Sequence, residues 1–304
     1  MNPTADFTHA PSRSRQLCPD NLSTNEGFSG TDGVGLQLAN QDRSQAGLLI
    51  LNADDWGGER RNTERILECV LRRTVSSASG MVFMEDSERA AAIARERGID
   101  VGLHINFTTP FSAKNCPAQL ADRQNEVAAH LLRHRHACAV FHPWLVRSFE
   151  YVLKCQLEEY HRLYGAEPQR LDGHHHMHLS ANVVLAGLLP QRTVVRRNYS
   201  FASGQKSLPN RLYRRFVDGM LARRHSLVDF FFSLAPIEPP DRLQQIFSLA
   251  RGHVVEVMAH PADVQEYEFL TGGEIVRWTE NVAIGPSFAL PRTPGLGAKP
   301  SNVH

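Results

Sequence analysis

Short apolar runs alternate with longer amphipathic stretches along this chain. Leu48 to Asn52 reads as a strand buried on both faces, in a first strand at about 47–53 closed by Asp54-Asp55-Trp56-Gly57-Gly58. From Asn62 to Arg73 the apolar residues Ile66, Leu67, Val70 and Leu71 recur at helical spacing, with charges between them. Ser76 to Phe83 predicts a second strand. The Ala-rich stretch Ser87 to Arg97 predicts a second helix, with Gly98 as its C-cap. Ile99 to Asn106 predicts a third strand. A β-α-β-α-β order with short links implies an α/β fold of parallel strands joined by right-handed crossovers.

The pattern loosens after Asn106. Thr108-Thr109-Pro110 opens a loop, and a polar helical stretch with His130, His134 and His136 follows. An insertion this long, spanning 107–140, is a candidate substrate-covering segment. Helices are then expected over Phe149–Tyr164 (ended by Gly165), Ala181–Leu189, Leu212–Arg224 and Asp241–Ala250. Strands are expected at Thr193–Arg196 and His253–Pro261, and Leu227–Leu234 reads as a strand or a helix start. Residues 1–45 are rich in Ser, Asn, Asp, Gln and Gly without apolar period, the composition of a disordered N-terminal extension. The Pro/Gly-rich residues 286–304 read as a disordered tail. No internal repeat or interior boundary divides 46–285, which is expected to be one domain.

Composition narrows the partners. The 304 residues are 42% hydrophobic and carry a net charge of +1, so no global field recruits nucleic acid or an anionic membrane. No apolar run approaches the roughly 18 to 20 residues of a membrane span, and the N-terminus lacks the basic and apolar regions of a signal peptide. Cys18, Cys69, Cys116, Cys138 and Cys155 are scattered and show no CxxC spacing. They read as reduced thiols, and the protein is expected in the cytoplasm.

The candidate chemistry sits where strands end. Asp54 and Asp55 close the first strand, and α/β folds place their sites at such carboxyl ends. Adjacent side chains on a continuing strand point to opposite faces, so the Trp-Gly-Gly turn is expected to free both carboxylates toward one pocket. Histidines fall at three further strand ends: His104, His174 to His178, and His260. If 172–178 is extended, Asp172, His174, His176 and His178 share one face and His175 points away. A single histidine in a strand is usually a hydrogen-bonded structural residue. Three such segments beside an aspartate pair instead form the ligand set of a divalent cation, with room for water. The tract is no purification tag, because it lies mid-chain and Met177 interrupts it.

Four motifs carry a resemblance: Asn52-Ala53-Asp54-Asp55-Trp56-Gly57, Gly102-Leu103-His104, Leu171-Asp172-Gly173-His174-His175-His176-Met177-His178, and Glu256-Val257-Met258-Ala259-His260-Pro261. In their order and spacing, over roughly 48–270, the chain resembles the YdjC-like carbohydrate (chitooligosaccharide) deacetylases. The resemblance implies an irregular, TIM-barrel-like (β/α) barrel whose enzymes remove N-acetyl groups from chitin-type oligosaccharides. It implies that Asp55, His104 and His174 hold one divalent metal ion. Magnesium leads by resemblance, while zinc, manganese, cobalt and nickel also suit two histidines and a carboxylate. It further implies Asp54 as general base, His260 as general acid, and Asp172, His176 and His178 as residues orienting the ligands. The partner would be a small carbohydrate, and a homodimer stays open. Trp56 stands where the family usually has Phe. Beyond Leu270 the match thins, leaving Val282 to Phe288 as a degenerate closing strand.

Two other functions fit the same residues: hydrolysis of a different amide or ester, and metal or sugar binding without turnover. Residues 190–225 are locally basic, which suits solvated helix faces. Arg196 or Arg197, at the end of a short strand, is the candidate to line the sugar pocket through bidentate contact with oxygen pairs.

Overall fold

The computed structural model describes residues 47–286 apart from Arg135 and residues 202–206. The expected N-terminal extension, and the expected tail from residue 287, lie outside the described residues. In chain order the elements are β1 (Leu48–Trp56), α1 (Arg60–Leu71), β2 (Ser77–Gly80), α2 (Ser87–Arg97), β3 (Val101–Ile105), α3 (Ala118–Leu131) and α4 (Val146–Tyr164). They continue with β4 (Arg170–Gly173), α5 (Ala181–Leu185), β5 (Val194–Val195), α6 (Leu208–Leu221), β6 (Phe230–Ser233), α7 (Pro240–Leu249), β7 (Val254–Ala259), α8 (Val264–Thr271) and α9 (Glu274–Thr279).

The strands form one parallel sheet in the order β5-β4-β3-β2-β1-β7-β6. β1 lies centrally, and Leu48 to Ala53 pair in unbroken register with Val254 to Ala259 of β7. Glycines in left-handed conformation stop two helices as the sequence predicts: Gly98 (φ 65°) after α2 and Gly165 (φ 74°) after α4. On α4 the buried Phe149, Val152, Leu153, Gln156, Tyr160 and Leu163 keep helical spacing, and Tyr160 donates to the Val101 carbonyl at 2.6 Å. The helix is thereby fixed against β3.

Period two along the strands separates an outer from an inner face. Leu49, Leu51, Ala78, Leu103, Leu171, Val195, Val255 and Val257 belong to the large core formed with the helices. The opposite parity carries Ile50, Asn52 and Asp54 on β1, Ser79 on β2, His104 on β3, Arg170 and Asp172 on β4, and Val254, Glu256 and Met258 on β7. Ile50, Val228, Phe231, Val254 and Met258 form a separate apolar cluster on this inner side. Above it the inner positions are polar and still buried. The curled sheet is therefore a half-barrel with an apolar floor and a charged upper layer.

Closure across the gap is irregular. β5 and β6 share no ladder among the described residues. Ser200, in the segment after β5, instead donates its backbone N–H to the Phe231 carbonyl (2.8 Å) and accepts from Phe231 N–H through Oγ (3.1 Å). Of the expected closing strand, Ile284 forms one parallel bridge to Leu49, while Ser287 and Phe288 lie outside the described residues. The segment read as strand or helix start is the strand β6, and the insertion holds α3, with His134 and His136 beyond its end. α8 and α9 have no counterpart in the sequence expectations. No described helix is long and apolar enough to cross a membrane.

Candidate active site

Both aspartates reach one site, by a route other than the expected glycine turn. β1 runs on through them to Trp56, and its register with β2 shifts between Ala53 and Trp56. Asp55 itself adopts φ 69°, a left-handed conformation rare for a side-chain-bearing residue. The bulge turns Asp55 to the same end of the barrel as Asp54. Trp56 is fully buried, anchoring the strand beyond it.

Asp54 is held by three hydrogen bonds from two residues. Arg196 donates Nη1 to Oδ2 at 2.7 Å and Nη2 to Oδ1 at 2.8 Å, and Asn52 Nδ2 donates to Oδ1 at 2.7 Å. Arg196 Nε donates to Glu256 Oε1 at 2.8 Å, and its Nη2 lies 3.0 Å from Asp172 Oδ2. Asp172 also accepts from Arg170 Nη1 (2.6 Å) and Ser79 Oγ (2.5 Å). Gly102 makes room for Arg170, since a Cβ there would sit 2.9 Å from the guanidinium carbon.

His104 links this network to Asp55. Its Nδ1 lies 2.7 Å from Asp172 Oδ1, which accepts the ring N–H and leaves Nε2 aimed at Asp55 Oδ1, 3.4 Å away. His174 brings Nδ1 to 3.0 Å from the same Asp55 oxygen. The three donor atoms lie within 4.8 Å of one another. Donors around one small cation at about 2.1 Å stand roughly 3 to 3.4 Å apart, so the spacing fits. The charge fits as well. Asp54, Asp55, Asp172 and Glu256 are matched by two arginines, Arg170 and Arg196, so with His104 and His174 neutral two negative charges remain at full ionisation. Asp54, His104 and Asp172 also cluster, but they are wholly buried and both carboxylates are committed to arginines. The first group is partly open and suits a cation that must also meet substrate.

The ionisation of these groups follows from their neighbours. Burial opposes charge on Asp55, yet His174 and His104 hold its carboxyl well below the usual carboxylate range. Burial likewise opposes charge on Asp54, which Arg196 and His104 keep below its ordinary value. For His104 burial would favour the neutral ring, but Asp54 and Asp172 prevail and raise it to about 10. Glu256 is shifted upward by burial, against the pull of Arg196.

The expected extended face over 172–178 is not formed. His174 to Leu179 is instead two tight turns joined at a kink, where His175 (φ 53°) and His176 (φ 58°) are left-handed. His178 folds back against Gly173, where a Cβ would meet its backbone nitrogen at 2.9 Å, and its Nε2 donates to the Arg196 carbonyl at 2.9 Å. His176 Nε2 lies 2.8 Å from Tyr199 Oη. His260 follows Ala259, the register partner of Ala53, so it ends the strand beside Asp54. Its backbone N–H donates to Glu266 Oε2 at 2.7 Å.

Both arginines expected at the sugar pocket are engaged within the protein. The Arg196 side chain is wholly shut off from solvent and its guanidinium is taken up by three carboxylates. Arg197 pairs with Asp218 at 2.9 Å and donates to the Val228 and Asp229 carbonyls, tying α6 to the approach to β6. Asn52, Ser79, Arg170 and Glu256 join the network without having been singled out as site residues. Glu256 had a signal: it is one ionisable residue inside the apolar run Val254 to Ala259.

The family model for YdjC-like proteins matches residues 48–281. The chain belongs to the YdjC-like family. Among curated relatives, a chitooligosaccharide deacetylase of Yersinia pestis (strain Pestoides F) is 28% identical over 243 residues, covering 77% of this chain and 88% of its own length. One from Enterobacter sp. (strain 638) is 31% identical over 133 residues, 43% of this chain and half of that protein. Among solved structures, an Enterococcus faecalis V583 protein named provisionally for cellobiose-phosphate cleavage superposes with a TM-score of 0.59 at 17% identity, covering 81% of this chain and 99% of its own. This last likeness supports the barrel-like fold alone.

Proposed function

We propose that the chain is a metal-dependent deacetylase that hydrolyses the N-acetyl group of an amino sugar or short N-acetylated oligosaccharide. One observation carries the reading: two adjacent aspartates of unlike surroundings meet at one strand end. Asp54 is buried and clamped by Arg196, while Asp55 is partly open and faces two imidazoles. Chitooligosaccharide deacetylases among the curated relatives support the acetamido sugar as substrate.

In this reading Asp55, His104 and His174 hold one divalent ion. When bound, such an ion polarises the acetyl carbonyl and lowers the pKa of water. Asp54 accepts the proton of the attacking water as the new C–O bond forms. Arg196 keeps that carboxylate ionised and oriented, and Asp172 holds His104 in the tautomer that exposes Nε2. His260 protonates the amine as the C–N bond breaks, giving acetate and a free amino sugar. Family resemblance favours magnesium, whereas two imidazole donors suit zinc, manganese, cobalt or nickel. The scattered cysteines support a cytoplasmic location.

The test is acetate release from N-acetylglucosamine oligomers by full-length metal-stripped protein, with single divalent ions restored in turn. Release that requires an ion and is lost in Asp54→Asn and His104→Ala establishes the reading and ranks the ions. Ion binding without release from any oligomer overturns it in favour of another acyl substrate or a binding role.

A further inference from the structure

We propose that His175 is a substrate-contacting residue whose imidazole hydrogen-bonds a sugar hydroxyl at the mouth of the Asp55–His104–His174 cluster. The inference rests on the deacetylase reading and extends it to the chemistry of the sugar subsite.

On an extended strand His175 would point away from its neighbours. The chain instead spends two consecutive left-handed residues, His175 and His176, to turn the segment. Such conformations are costly for residues with a Cβ and persist where the surroundings enforce them. The result sets the His175 ring 4.0 Å from the His174 ring, centroid to centroid, at a 36° tilt. His175 thus packs on a residue of the candidate ligand set, and Asp55 and His260 both act on it electrostatically.

One ring nitrogen is fixed. His175 Nδ1 lies 3.0 Å from Thr108 Oγ1, and Thr108 is held in turn by its N–H donating to Asn106 Oδ1 at 3.1 Å. Nε2 has no hydrogen-bond partner among the described residues, and the side chain is only half-buried. A threonine hydroxyl can both donate and accept. Either tautomer is therefore accommodated at Nδ1, and Nε2 can act as an acceptor or a donor. A sugar hydroxyl has the same dual character and matches both states. A carboxylate or phosphate oxygen only accepts, so it would use Nε2 as a donor and leave its acceptor state unused. The subsite suits a neutral hydroxyl-bearing ring.

The experiment uses full-length protein, with N,N′-diacetylchitobiose as probe. His175→Phe keeps an aromatic ring to stack on His174 and removes both nitrogens, and His175→Gln retains a hydrogen-bonding group. Binding is measured calorimetrically in the Asp54→Asn background, with metal content determined on the same samples, and kcat and KM are measured with Asp54 intact. Loss of one hydrogen bond weakens binding by roughly 3- to 10-fold. The inference expects that loss in His175→Phe, seen mainly in KM, with metal content unchanged and substantial recovery in His175→Gln. Wild-type affinity and KM in His175→Phe overturn it and leave the deacetylase reading intact. So does a loss of bound metal that accounts for the whole effect, since that assigns His175 to packing alone. Wild-type protein that releases no acetate defeats the deacetylase reading and this inference with it.

Discussion

Arg196 grips Asp54 with both terminal nitrogens, at 2.7 and 2.8 Å, and both side chains are buried. Five N–H groups in a planar fork allow one guanidinium to serve Asp54, Asp172 and Glu256 together. The residue that the sequence offers for a sugar pocket is the hub of the barrel's charged layer.

Removing that hub leaves buried carboxylates without their counter-charge. Arg196→Met is expected to destabilise the protein by about 3 to 5 kcal/mol, the usual cost of breaking a buried ion pair from one side. Arg196→Lys keeps the charge but cannot make the bidentate contact, so it recovers only part of the loss. Urea unfolding of the three proteins checks this order. Equal midpoints for wild type and Arg196→Met would show that the layer does not depend on Arg196.

Asp172 acts on the candidate metal cluster through His104, 2.7 Å away. Asp172→Asn is expected to weaken divalent-ion affinity about 10- to 100-fold, the range for removing a carboxylate behind a ligating histidine. Calorimetric titration of stripped protein, with circular dichroism to confirm folding, measures it. Unchanged affinity would mean that the imidazole needs no such support.

His104 also predicts a proton count. In metal-free protein burial favours the neutral ring, but Asp54 and Asp172 lift it to about 10, above its ordinary 6.5. A raised folded value gives stability that is complete below the ordinary value and lost as pH rises through about 10. At pH 8 the ring is therefore protonated, and an ion that takes Nε2 must displace that proton. Titration of stripped protein at pH 8 in two buffers of different ionisation enthalpy should report release of about one proton per ion. A value near zero would place the ion elsewhere.

Much of this was legible because periodicity tracks burial. The first strand, the α2 helix with Gly98 and the α4 helix with Gly165 follow the apolar pattern closely. The aspartate pair, His104, His174 and His260 announced themselves by falling at strand ends. Two features were hidden. A histidine tract has no apolar pattern, so an extended segment and the kinked turn with left-handed His175 and His176 look alike in sequence. The burial of Arg196 was hidden because charged residues are mostly exposed, while its partners lie 142 and 60 positions away at Asp54 and Glu256. Only the curled sheet brings them together.

Gly173 separates the turn's geometry from its chemistry. A Cβ at this position would lie 2.9 Å from both the backbone nitrogen and Nδ1 of His178, closer than packed atoms tolerate. His178 cannot yield freely, because it is fully buried and its Nε2 is bonded to the Arg196 carbonyl. The strain should therefore pass into the turn that presents His174. Gly173→Ala adds no charge and removes no ligand, yet it is expected to cost about 1 to 3 kcal/mol, as overpacking does. If the turn sets the His174 geometry, ion affinity falls along with the unfolding midpoint. A lowered midpoint with full affinity would instead show that the site tolerates movement of the turn, and that His174 is held by its contact with Asp55 alone.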